Sequence, residues 1–277
     1  MKHTRSKRNE MRKLMRMLAI ILVPVVALIL GAAAPELWAG NHDDYDNEIP
    51  FDQAELFFEL NNTDGDLGIH ALIDGDAWKR LTIEDPKERK MLNIKVTGRL
   101  RRQGLTEIFF ESAEPTFDEL DPEDFFRRFP EGTYEIEGIT LEGDELESEA
   151  ELSHVMPAPL APTVNGEPMA VQCDPEEDGY DATMVTEVPV IIAWPPVTMS
   201  HPDIGADGPV SIHNYEVVVE VEGEEITSVF SVILPPDTLS LTIPDEFLNL
   251  GSEFKYEVLA REESYNQTAV ESCFVLK

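Results

Sequence analysis

The sequence predicts a mainly β protein, built as two tandem β-sandwich-like domains with one short helix in the first. Three observations carry this. Leu146, Ser148, Ala150 and Leu152 alternate with Glu145, Glu147, Glu149 and Glu151. Tyr215, Val217, Val219 and Val221 alternate with Glu216, Val218, Glu220 and Glu222. A period of two sends alternate side chains to opposite faces of a strand, so each segment has one face for a core and one for water. Between them Pro157, Pro159 and Pro162 fall within six positions, which forbids helix and central strand and favours an extended, stiff connector.

These features divide the chain. Residues 48–156 are expected to form an acidic β domain, 157–187 a Pro-rich linker and lead-in, and 188–277 the second domain. In the first, the runs 54–60, 69–73, 91–96 and 107–111 read as strands. So does 78–83, with Trp78, Arg80 and Thr82 on one face and Lys79, Leu81 and Ile83 on the other. Asp64-Gly65 and Asp74-Gly75 are dipeptides that reverse a chain between strands, and Asp85-Pro86 marks a further break. The helix starts at Asp121, which can cap it. Pro122 suits its first position, and Glu123 and Asp124 complement the positive end of its dipole. Phe125, Phe126 and Phe129 give it an aromatic face, read as a packing plug, and Pro130 closes it.

Ahead of these domains, seven basic residues among the first sixteen precede an apolar run at 17–34. Basic region, apolar region and small-residue exit are the parts of an export signal. Residues 1–39 are therefore expected to be removed on export; the alternative is a retained anchor at 17–35, the only route to membrane contact. The expected location is secreted or periplasmic, with anchoring in a membrane by 17–35 as the alternative; either way the rest of the chain faces an extracytoplasmic space. Without 1–39 the chain loses seven of 21 basic residues and two of 55 acids, leaving 14 against 53 and a formal charge of −39. Such a surface excludes phosphate-backbone binding, which depends on clustered Lys and Arg, and so excludes nucleic-acid partners. It attracts cations and basic partners. The two cysteines, Cys173 and Cys273, are expected to form a structural disulfide in an oxidising compartment, with two buried thiols as the alternative.

The C-terminal third offers short strands at 190–194, 215–222, 229–234, 239–243, 253–260 and 269–276, spaced by Pro and Gly turns. It carries Trp194-Pro195, Tyr215 opening a valine-rich strand, Leu239-Ser240-Leu241-Thr242-Ile243-Pro244 and Leu250-Gly251-Ser252-Glu253-Phe254. Val258-Leu259-Ala260 and Asn266-Gln267-Thr268 follow. With these features 189–277 resembles the fibronectin type III family. The resemblance implies an immunoglobulin-like seven-stranded sandwich whose usual work is binding, spacing or adhesion rather than catalysis. The chain as a whole is similar to secreted bacterial proteins with an acidic β domain before a terminal type III domain, which implies architecture and no activity. There are departures from the family pattern. Phe254 stands where the family's corner tyrosine is usual, and Tyr256 is expected on the opposite face. The tip of the 195–214 connection, 200–207, is rich in turn formers and is a candidate binding edge. No Arg-Gly-Asp tripeptide is present.

No sequence motif demands a particular chemistry. The six histidines form no His-Glu-x-x-His or other tight metal spacing, and there is no phosphate-cradling Gly loop or Gly-x-Ser-x-Gly elbow. One candidate metal site remains. Asn62, Asp64 and Asp66 offer alternate oxygens suited to Ca2+, with Asp74 and Asp76 as helpers, although Leu67 and Ile73 depart from an EF-hand loop. A plain β-turn explains the same residues. The expected function is a non-catalytic extracytoplasmic binding or envelope-associated protein with a protein or glycan partner. The alternatives are a structural spacer without ligand and a hydrolytic enzyme with its site in the N-terminal domain.

Overall fold

The computed structural model describes residues 49–176, 178–223 and 226–277. The predicted export segment lies outside them. No helix among the described residues is long and apolar enough to cross a membrane. The protein is mostly β, and residues 48–277 form one compact unit around two hydrophobic cores.

The first core is wrapped by β1 (Gln53–Asn61), β2 (Asp66–Glu84), β3 (Lys90–Lys95), β4 (Leu105–Glu111), β5 (Gly132–Thr140) and β6 (Glu145–Leu152). Asp64-Gly65 closes the β1–β2 hairpin, with Gly65 at φ +66° donating to the Asn61 carbonyl. Asp74-Gly75 does not reverse the chain, as its sequence suggested. It lies inside the single 19-residue strand β2, which merges the expected strands 69–73 and 78–83. The register slips there on both flanking strands, between Asp74 and Trp78 against β4 and between Trp78 and Arg80 against β5. An unpaired residue of this kind bends a strand sharply, so one half of β2 pairs β1 and β4 while the other pairs β3 and β5. The slip also turns Trp78 inward beside Leu81 and Ile83, rather than outward with Arg80.

Helix α1 (Pro122–Phe126) has the predicted cap, the Asp121 side chain accepting from the Glu123 N–H at 2.8 Å. Phe125 and Phe126 are buried and meet Phe58 edge-on at 5.9 and 5.2 Å, so the aromatic face is a plug on β1. Leu146, Ala150 and Leu152 point inward from β6, while Glu145, Glu147, Glu149 and Glu151 face water.

The second core lies between two sheets. One comprises β7 (Thr163–Val164), β8 (Glu167–Pro168), β10 (Ile191–Ala193) and β13 (Ser240–Thr242), in the order β13-β10-β7-β8. The other runs β12-β11-β14-β15 from β11 (Ile212–Glu222), β12 (Thr227–Leu234), β14 (Glu253–Glu262) and β15 (Gln267–Leu276). β9 (Thr183–Val185) adds to β15 in parallel, and α2 (Asp245–Leu248) joins β13 to β14. Tyr215, Val217, Val219 and Val221 face the interior. Phe254 and Tyr256 are both buried, with Phe254 stacked on Phe274 at 4.9 Å. Tyr256 therefore shares the face of Phe254, because residues two apart on a strand point the same way. A tyrosine hydroxyl does meet backbone here, from another strand: Tyr215 accepts from the Val197 N–H at 3.0 Å.

The two cores share a sheet. β1 runs parallel to β15 with Glu59, Leu60 and Asn61 beside Gln267, Thr268 and Ala269, making one eleven-stranded sheet. The intervening Pro-rich segment is packed at both ends, Met156 in the first core and Leu160 in the second. The 200–207 tip is not a free edge. It folds back so that Ile204 enters the first core, His201 N–H donates to the Met156 carbonyl at 2.7 Å, and Ala206 N–H to the His154 carbonyl at 2.8 Å. Gly205 permits this, at φ +81° with the His154 oxygen 2.1 Å from where a Cβ would stand.

Candidate functional site

The register of the shared sheet brings its outward side chains into one array. Opposite the buried valines, β11 presents Glu216, Val218 and Glu220; β14 presents Lys255, Glu257, Leu259 and Arg261. On β15, Glu271 stands directly across from Glu257, and Gln267 lies beside Glu59 of β1. Val218, Leu259 and Ala269 form a small apolar patch on this face, packed by Val229. The cations here already have partners: Arg261 pairs with Glu55 at 2.7 Å and lies over the Phe57 ring, and Lys255 pairs with Glu222 at 3.0 Å. Glu216, Glu220, Glu257, Glu271 and Glu59 thus share a face on which carboxylates outnumber cations.

The array shifts the acids. Burial raises Glu220 to about 7, with Lys255 pulling it down and Glu271 and Glu222 pushing it up. Burial, then the charges of Glu271, Glu59, Glu216 and Glu220, holds Glu257 well above the usual carboxylate range. Burial raises Glu216 against a hydrogen bond from Ser231. Like charges set directly across a strand pair repel, and the protonated form relieves that repulsion.

Glu220 faces Lys255, Glu222, Glu257 and Glu271 beside Val229. Its folded pKa stands above the ordinary 4.5, so folding takes up a proton between 4.5 and about 7. The cost is absent at low pH and grows as pH rises through that window. The whole shift would correspond to about 3 kcal/mol, and the neighbouring carboxylates, which take up protons in its place, reduce this to about 1–2 kcal/mol. Glu220→Gln should therefore stabilise the protein by about 1–2 kcal/mol at pH 8 and hardly at pH 5, measured by urea unfolding. Equal effects at the two pH values would contradict it.

At the other end of the same face, His70 of β2 lies between two carboxylates. Its Nε2 is 3.0 Å from Glu114 Oε1 and its Nδ1 is 3.7 Å from Glu59 Oε2. The His70 and Glu114 side chains are 4% and 3% exposed. Burial presses His70 down, but Glu59, the Glu114 hydrogen bond and charge, and Glu111 together hold its pKa above the ordinary value. Phe57 and Phe109 flank the ring at 5.4 and 5.8 Å. Among the described residues this is the one group of three or more His, Cys, Asp or Glu whose ligand atoms lie within 4.8 Å of one another.

The C-terminal module has a fibronectin type III-like fold. No protein-family model and no curated protein matches the chain. Among solved structures, the FN1-FN3 domains of chicken CNTN1 are similar at 10% identity and a TM-score of 0.30, over 82% of this chain and 65% of theirs. A tetra-tandem repeat in the extending region of a large adhesion protein is similar at 12% identity and a TM-score of 0.28, over 81% of this chain and 50% of its own. A two fibronectin type-III domain segment from chicken tenascin is similar at 10% identity and a TM-score of 0.25, over 81% of this chain and 98% of its own. The assignment of the type III-like module rests on its own strand order, β13-β10-β7 against β12-β11-β14-β15.

The residues singled out from sequence occupy other places. Cys173 and Cys273 are joined by a disulfide, with Cα atoms 5.7 Å apart. Asn62, Asp64 and Asp66 lie around the β1–β2 turn. There the Asn61 side chain accepts from the Thr63 and Asp64 N–H groups, and Asn62 Oδ1 is 3.1 Å from His201 Nε2. Asp66 is buried, and Asp74 and Asp76 sit along β2. The cluster that sequence reading missed is Glu59, His70 and Glu114, from β1, β2 and the segment after β4.

Proposed function

We propose that this chain is a non-catalytic binding module of an extracytoplasmic space, and that it takes a basic protein surface on its carboxylate face. The observation that carries the reading is the array of Glu216, Glu220, Glu257, Glu271 and Glu59 across four adjoining strands, with Glu257 and Glu271 directly paired. Incoming Lys or Arg side chains would displace the protons that Glu257 and Glu220 hold and put charge-assisted hydrogen bonds in their place, and the net charge of the chain steers such partners toward it. Val218, Leu259 and Ala269 are buried beneath these side chains and hold the carboxylates at fixed spacing. The disulfide supports an oxidising location.

Titration of a lysine-rich peptide by calorimetry at low salt tests the reading. Glu257→Gln with Glu271→Gln should weaken binding by about tenfold, roughly 1.4 kcal/mol. Glutamine at Glu135, Glu137, Glu147 and Glu149, on the exposed β5–β6 ladder, removes at least twice the charge and should change it less. Equal losses per charge from the two sets would refute a built face and leave a spacer whose acidity serves only solubility.

A further inference from the structure

We propose that Glu59, His70 and Glu114 bind one divalent transition cation of the Zn2+ class. The site shares Glu59 with the carboxylate face above, and metal titration without peptide tests it separately from that reading.

The donor set is the first reason. One imidazole and two carboxylates suit Zn2+ and its first-row neighbours, whereas Ca2+ prefers an all-oxygen shell. The donor atoms already lie within 4.8 Å of one another, with Nε2 and the Glu114 oxygen at 3.0 Å. An imidazole binds an ion through one nitrogen, and Glu114 faces Nε2 whereas Glu59 faces Nδ1. An ion seated on Nε2 takes Glu114 directly and draws the Glu59 side chain across the ring edge, to the spacing of about 3.3 Å between tetrahedral ligands.

The surroundings are shaped to this arrangement. The Glu114 side chain lies over β2 at Gly68, where a Cβ would come within 2.6 Å of Glu114 Cγ and Oε1. Any other residue at 68 would expel the carboxylate from beside His70. The Gln267 side-chain N–H donates to Glu59 Oε2 at 2.5 Å, orienting that ligand from the neighbouring strand β15. Such outer partners fix ligand geometry in metal sites. The Phe57 and Phe109 rings wall the imidazole and keep water from it.

A cation bound there would clasp the segment after β4 to β1 and β2, beside the join between the two cores.

The test uses the full exported chain after EDTA treatment and dialysis, titrated with Zn2+ by calorimetry and with Co2+ by visible absorption. One equivalent should bind, and Ca2+ should not compete. His70→Ala should weaken binding by about a hundredfold and Gly68→Ala by about tenfold. His201→Ala, at the Asn62 turn, should leave it unchanged. Zinc X-ray absorption on the wild-type protein serves as the second measurement if a variant fails to fold; it should show one imidazole in the shell. Absence of stoichiometric binding, binding indifferent to His70→Ala in a folded variant, or a shell without imidazole would overturn the proposal, leaving His70 as an ion-paired imidazolium.

Discussion

Asn266→Ala is expected to destabilise the protein by about 3–5 kcal/mol, a large effect for a substitution in a turn next to a strand. Asn266 is fully buried. Its Oδ1 accepts from the Phe58 N–H at 2.8 Å, and its Nδ2 donates to the Ser153 and Val155 carbonyls at 2.9 and 3.0 Å and to Ser153 Oγ at 3.1 Å. The amide thus ties β1 and the exit of β6 to the start of β15. Alanine would leave a buried N–H and two partly buried carbonyls without that partner, at about 1–3 kcal/mol for each group left unsatisfied. The sum is held down by relaxation and entering water. Asn266→Asp should cost at least as much, because its carboxylate would place acceptors against acceptors. Urea unfolding of the three proteins at one pH measures this. A loss below about 1 kcal/mol for Asn266→Ala would show that the join does not depend on the amide.

Removing the disulfide should cost about 4 kcal/mol. Cys173 and Cys273 are 100 residues apart in sequence, and closing a loop of that length restricts the unfolded chain by an amount worth about 4–5 kcal/mol. Cys273 is buried with Ala170 and Ala182, so serine there adds a polar group in an apolar pocket. For a domain of this size the expected fall in melting temperature is about 8–16 °C. The double variant, Cys173→Ser with Cys273→Ser, should melt there with or without reductant, and the wild-type protein should join it only when reduced. A wild-type melt unmoved by full reduction would refute the expected contribution.

Much of this architecture is legible in the residues because strands and caps are local. Alternation from Tyr215 to Val221 and from Leu146 to Leu152 places the same side chains in the two cores, since a strand's faces depend only on position parity. The α1 cap needs only Asp121 and its next three neighbours. Asp74-Gly75 shows where local reading stops. An Asp-Gly pair suits a hairpin turn and also a bulge in a bent strand, and partners on both sides of β2 select the second. The 200–207 tip reads as a free loop because its polar residues suit one. Its attachment depends on the carbonyls of His154 and Met156, which carry no sequence signal.

The candidate metal cluster was partly within reach. The Asp64-Gly65 hairpin sets a register in which Phe57 faces His70 and Glu59 faces Gly68, so Glu59 and His70 are diagonal neighbours on one face. Glu114 comes from 44 residues beyond His70 and arrives only because β4 returns along β2.

The sequence alone determined most of the strands, the apolar side of those with clean alternation, where α1 begins and how acidic the chain is. Those properties arise from neighbours a few residues apart. Only the tertiary structure decided that β1 lies beside β15, that Glu257 confronts Glu271 and that Glu59, His70 and Glu114 converge. Strand partners are chosen by how two cores share one sheet across some 200 residues, and no short-range pattern encodes that choice.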